Sequence, residues 1–266
     1  MVKKIILLFF VIAISSNLSA QIMGLSGSKL GSLTVDVVDH KKIEFEPSFF
    51  HARSYQYWDN SGNLQNLYST DDSVKVVTGI GFRFTYGLWD KIELGMAVST
   101  DVSAAAFSAR YAFLQKEKYG LAIIAGLNVP LGNRTVDQTI RAAGNIANLG
   151  FGVVSSYAFT ENLSLDFTGQ YSHFLKETND NDKGGFYLNT DLGYYIFKKN
   201  IQLVGGLGYH SISNNVGNHQ VLTVNPGITI ETSKNFIIVL SAPFDVYGRR
   251  ENKNIGFNFA LTLTFD

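Results

Sequence analysis

Ile255-Gly256-Phe257-Asn258-Phe259-Ala260-Leu261-Thr262-Leu263-Thr264-Phe265-Asp266 alternates without a break. Every odd position is large and apolar. Every even position is small or polar. Successive side chains of a strand point to opposite faces, so one face here is greasy and the other wet. A soluble sandwich has strands of this kind too. A C-terminal strand with six bulky side chains on one face needs somewhere to bury them. In a transmembrane barrel that place is lipid, and the small polar face lines the lumen.

The other end of the chain points to the same destination. Lys3 and Lys4 precede an apolar run, Ile5 to Ile14, and small or polar residues follow to Leu18-Ser19-Ala20. These are the charged region, apolar region and small-residue cleavage site of a secretory signal. Residues 1–20 are therefore expected to be removed, leaving Gln21 first. The run is shorter than the roughly 20 residues a spanning helix needs. There is no cysteine in the 266 residues, which excludes disulfides, thiolate metal sites and thiol catalysis. Loss of the two signal lysines turns a net charge of zero slightly acidic, so nothing resembles a basic footprint for nucleic acid. With 20 Phe, 13 Tyr, 25 Gly and only 4 Pro, the composition suits twisted strands with aromatic girdles.

Five short polar breaks read as periplasmic turns: Trp89-Asp90, Gln115 to Lys118, Thr160 to Asn162, Lys198 to Asn200, and Thr232 to Asn235. Tyr86, Phe113, Tyr119, Phe159, Phe197 and Phe236 flank them as an inner girdle. Opposite lie longer polar connections, the largest being Asn60 to Asp72 and Gly132 to Asn145. Thr178 to Gly185, Ser213 to Asn218 and Gly248 to Lys253 are shorter, and the turn between Thr100 and Ala104 is tight. Tyr55, Tyr57, Trp58, Tyr171, Phe186, Tyr209 and Phe244 mark an outer girdle. The runs between turns number about twelve, an even count as bacterial barrels require. The expected fold is all-β, a transmembrane antiparallel up-and-down barrel over residues 42–266. Residues 21–41 are assigned to an N-terminal periplasmic segment. Its piece Ser32 to Val38 reads either as a short periplasmic strand or as an inserted plug, which leaves ten or fourteen strands open. A bulge is expected at or after Pro47, where alternation falters near Phe49-Phe50.

Several stretches resemble an outer-membrane family linked to the meta-cleavage pathway of phenol degradation. They are Ile43-Glu44-Phe45-Glu46-Pro47-Ser48, Tyr86 to Gly95, Ala125 to Gly132, and Ser241 to Arg250 with Pro243 and Gly248. The resemblance implies a barrel that moves small or hydrophobic compounds. Phe265 is penultimate where that pattern puts the closing aromatic last, and Pro130-Leu131-Gly132 lacks a Thr between Pro and Gly.

Alternation places Glu44, Glu46, Arg83, Glu93, Arg110, Asp166, Asp191, His210 and Asp245 in the lumen. Glu93 is expected near both Arg83 and Arg110. That row reads either as a transverse field that selects solutes by sign or as a structural ion network. Asp166 and Asp191 should face each other with no basic residue beside them. They read as a cation-attracting patch, a shared-proton pair or two hydrated carboxylates.

A hydrolase needs Ser, His and an orienting group in one place. None of His40, His51, His173, His210 and His219 has both at a suitable depth; Ser172 and His173 point to opposite faces. Asn179 to Asp182 has the composition of a calcium loop without its ligand spacing. No cofactor, metal or enzymatic activity is expected. Val136 to Ala143 reads as a short helix capped by Thr135, in a loop able to constrict the pore. The expected role is passive passage of a small solute, with a filled structural or surface-binding barrel as the alternative. Expected partners are outer-membrane lipid, the solute, and the barrel-assembly machinery through the last strand.

Overall fold

The computed structural model describes residues 22–27, 29–69, 73–99, 104–131, 147–175, 183–197, 200–213, 217–233 and 235–266. The expected signal sequence, the turn at 100–103 and the loops at 132–146 and 176–182 lie outside the described residues, and so do the expectations made for them.

Fourteen strands form one antiparallel sheet. They are β1 (Ile43–Trp58), β2 (Leu64–Asn66), β3 (Lys75–Trp89), β4 (Ile92–Ser99), β5 (Ala104–Gln115), β6 (Tyr119–Pro130) and β7 (Asn148–Ala158), followed by β8 (Leu163–Phe174), β9 (Gly184–Ile196), β10 (Ile201–Ser213), β11 (His219–Ser233), β12 (Phe236–Ser241), β13 (Phe244–Arg249) and β14 (Glu251–Phe265). The three-residue β2 pairs only with the top of β1. β12 and β13 are one wall strand interrupted at Ala242-Pro243, and both pair with β11 and β14. The wall therefore has twelve strands, and β14 closes it against β1.

The burial pattern is inside-out relative to a soluble protein. Thr85, Glu93, Arg110, Thr168, Gln170 and Gln202 are buried, while Ile80, Phe107, Ile123, Phe151, Leu207 and Ile255 are exposed. Only a lipid exterior makes that partition favourable, because those apolar side chains would otherwise face water. Trp89, Phe113, Tyr119, Phe159 and Phe197 ring one rim, and Tyr55, Tyr57, Phe186 and Phe244 the other. Trp58 departs from its expected place in the outer girdle. It is 5% exposed and its ring lies over Gly248, inside the barrel.

The bulge expected at or after Pro47 does not fall at Phe49-Phe50 but further along the strand. β1 pairs with β3 in unbroken register from Ile43 to Ser54, and its shift against β14 falls between Ser54 and Gln56. Alternation falters at Phe49-Phe50 for another reason: Phe50 turns its ring into the lumen. It fits because Gly79 lies opposite, where a Cβ would strike that ring.

The N-terminal segment is inserted in the lumen, not held beneath the barrel in the periplasm. Ile22, Leu25, Ser26, Ser32, Leu33, Val35 and Val38 are all buried. Ile22, Leu25, Leu33 and Val35 pack on the inward Ala112, Ala122, Ile124 and Val154 of β5–β7. Each such burial is worth about 1.5–3 kcal/mol relative to exposure. The segment has no ladder of its own and folds back through Thr34 N–H donating to the Gly27 carbonyl at 3.0 Å. Gly24, at φ +98°, crosses the backbone of Gly95. A Cβ on either glycine would collide with the backbone at the other, so both residues let the segment lie close to the wall.

Candidate lumenal site

Every candidate charge in the lumen is engaged, and most partners come from the inserted segment. Arg83 contacts Glu44 at 2.6 Å and Glu46 at 2.5 Å. Its other amino group donates to the Leu25 carbonyl at 2.9 Å and to Thr85 Oγ1 at 3.1 Å. Thr85 in turn donates to the Gly24 carbonyl at 2.7 Å, and Thr262 donates to Glu46 at 2.6 Å. Two wall strands thus grip the segment through one guanidinium.

Glu93 and Arg110 form a second group, 2.8 Å apart and wholly buried. Glu93 also accepts from Ser26 N–H at 3.0 Å, Ser26 Oγ at 2.6 Å and Val38 N–H at 2.9 Å. Arg110 donates to the Thr34 carbonyl at 2.6 Å, to Ser26 Oγ at 2.7 Å and to the Asp36 carbonyl. Glu93, expected near both arginines, makes its ion pair with Arg110. Glu93 lies opposite Gly87 on β3, whereas Arg83 lies opposite Ala97, four residues further up β4. Segment backbone links the two groups instead.

Asp166 and Asp191 do face each other across β8 and β9. The absence of a basic partner does not hold, because Lys29 Nζ reaches Asp166 at 2.5 Å. Ser156 Oγ donates to the same carboxylate at 2.5 Å. Asp191 Oδ2 accepts three consecutive backbone N–H groups, from Leu30, Gly31 and Ser32, at 3.0, 2.9 and 2.8 Å. A carboxylate seated in such a nest binds through charge-assisted hydrogen bonds. Neither aspartate is an open cation-attracting patch, one of the three readings the sequence left open.

Asp245 and His210 lie away from the segment's main contacts. Asp245 accepts from Thr223 Oγ1 at 2.6 Å and from Asn254 N–H and Nδ2 at 2.9 and 2.8 Å. His210 stacks on Tyr187 with ring centres 6.0 Å apart. Both residues line a cavity of about 410 Å³ that lies beside the inserted segment. Phe50, Val77, Val221 and Val239 give this cavity an apolar side, and Ser48 and Asn258 a polar one.

Of the candidate residues, Glu46, His210 and Asp245 reach the cavity, while Glu93, Arg110, Asp166 and Asp191 hold the segment. Lys29, Ser26 and the amides of 30–32 were not singled out from sequence. One signal for them was available: Ala112, Ile124 and Val154 stand on lumenal positions with apolar side chains, which need an apolar partner inside. Ser172 donates to Asn148 at 2.9 Å inside the barrel, and the neighbouring His173 is exposed on the outer face.

A model of the family described as "Putative MetA-pathway of phenol degradation" matches residues 88–261. The chain belongs to that family. No curated protein matches it in sequence. Among solved structures, a COG4313 outer membrane channel from Pseudomonas putida F1 superimposes with a TM-score of 0.69 at 12% identity, covering 87% of this chain and 98% of that one. The NanC porin gives 0.52 at 9% identity over 81% and 98%, and the KdgM porin 0.51 at 12% over 82% and 99%. The family's barrel shape is thus shared with porins at identities that speak for the fold alone.

Proposed function

We propose that this chain is an outer-membrane channel for a small amphipathic or aromatic solute, passed along one side of a partly filled lumen. The observation that carries this reading is the cavity of about 410 Å³ between the inserted segment and the wall formed by β1, β3 and β10–β14. Its apolar Phe50, Val77, Val221 and Val239 face polar Ser48, Asn258 and Asp245. Such a surface suits a solute with an apolar body and a few polar groups. The porins of similar fold and the family description agree with passage of small molecules. The signal sequence and the aromatic rims support the outer membrane as its location.

The ion groups favour a second reading, a filled structural barrel, because they hold the segment at many points. Conductance of the refolded mature chain in a planar bilayer decides between them. Steady conductance that rises when residues 22–38 are deleted supports a channel narrowed by its own N-terminus. A folded but silent barrel in both forms sinks the channel reading.

A further inference from the structure

Arg53 departs from the charge partition of this barrel. It pairs with Val76 on β3 and Ile255 on β14, and both of those side chains are exposed on the lipid face. Paired residues of an antiparallel ladder share a face, so Arg53 projects outward. It stands ten residues above Ile43, at the periplasmic end of β1. At ~3.3 Å per residue and ~45° tilt that is about 23 Å up the wall, near the top of a ~25 Å apolar band. Its charge therefore sits at headgroup level in the outer leaflet.

The guanidinium there is held in place. Arg53 Nε–H donates to His51 Nε2 at 3.1 Å. That nitrogen must then be an acceptor, which makes His51 the neutral Nδ1–H tautomer. Its Nδ1–H donates to Thr78 Oγ1 at 2.8 Å. The chain Arg53–His51–Thr78 uses only Nε–H of the arginine, and among the described residues its two terminal amino groups make no hydrogen bond. No ion pair involves Arg53 among the described residues. Arg249 repeats the device two strands away: it is exposed, and its Nε–H donates to Tyr247 Oη at 3.0 Å. Between them Gly248 faces inward under Trp58, so Tyr247 and Arg249 face out. Each arginine is thus oriented by the residue two before it on the same face.

An oriented, unpaired guanidinium is the group best matched to two oxygens of a phosphate. We infer that Arg53, positioned by His51, binds the phosphate of an anionic glycolipid in the outer leaflet. The ligand is a lipid phosphate and not a free one, because the site opens sideways at the aromatic belt formed by Tyr55, Tyr57 and Phe244, where acyl chains lie against the wall.

The test is native mass spectrometry of the refolded mature chain in a zwitterionic detergent. The probes are a bis-phosphorylated glucosamine-disaccharide lipid, the same lipid with its phosphates removed, and inorganic phosphate alone. The phosphorylated lipid should be retained and the dephosphorylated lipid should not. R53Q should weaken retention about fivefold, the effect of one basic side chain at a charged lipid surface. K41Q, at the periplasmic end, should leave it unchanged, and heat-modified gel mobility verifies that each variant is folded. Equal retention of both lipids, binding of inorganic phosphate in place of lipid, or an R53Q variant that binds like the parent overturns the assignment.

Discussion

Lys29 Nζ lies 2.5 Å from Asp166 Oδ2, and the three residues that follow Lys29 give their backbone N–H groups to Asp191. Four consecutive residues of the inserted segment are therefore clamped by two carboxylates on neighbouring strands. Because both carboxylates are engaged, replacing them tests the seating of the segment more than ion selectivity. D191A removes an acceptor worth about 1.5–3 kcal/mol for each charged hydrogen bond. The expected outcome is higher bilayer conductance and trypsin cleavage after Lys29 in the folded barrel. An unchanged digest would show that the clamp is dispensable.

Glu93 offers a sharper energetic test. E93Q leaves Arg110 charged and buried without its counter-ion, and breaking such a pair costs about 3–5 kcal/mol. The urea midpoint of the refolded barrel should drop accordingly. A double variant, E93Q with R110M, should recover part of the loss, since it removes the stranded charge.

Gly95 tests the close approach of the segment. A Cβ at this position collides with the Gly24 carbonyl, so G95V should displace the segment while leaving the wall ladder intact. Conductance should rise and the strand signal in circular dichroism should persist. If the segment remains protected from protease, the contact is not required.

Phe50 bounds the cavity, and its ring lies over Gly79. F50A widens the cavity. Liposomes carrying the variant should swell faster than the parent with bulky amphipathic solutes and about equally with the smallest ones. No change for any solute would place the permeation path elsewhere.

Asp59 gives a pH-dependent prediction outside the membrane. Its carboxyl is held below the usual range, first by the N–H of Asn63 and further by Ser61 and Gln65. A group depressed in the folded state contributes order that is present above its unfolded pKa and is lost as pH falls through the folded value. Amide protection at Ser61 and Asn63 should therefore decline on acidification below the usual carboxylate range. In D59A it should be low at every pH.

The wall was legible because its pattern repeats. Ile255 to Phe265 and the Lys75–Trp89 strand each carry period two, and charges on the lipid face are costly enough to enforce it. The candidate charges were legible for the same reason. Their partners were not. Lys29 meets Asp166 across 137 positions of chain, and no local pattern encodes such a meeting. The segment around Gly24 and Gly31 has neither period, because its hydrogen bonds go to side chains of the wall and not to a ladder. Phe50 misled in a different way. A large aromatic on the polar face looks like a register slip until its neighbour across the ladder is seen to be Gly79.

The residues at 29–38 continue directly into β1, the strand that meets β14 at the seam. Their own contacts, however, are with the middle of the sheet, on β4, β5, β8 and β9. The chain's beginning is thus anchored to its centre before it can reach its end. A nascent sheet that has curled as far as β9 already offers both aspartates, so docking there would carry β1 toward the place where β14 must arrive. Removing the segment should then slow closure of the barrel even where the finished wall is equally stable.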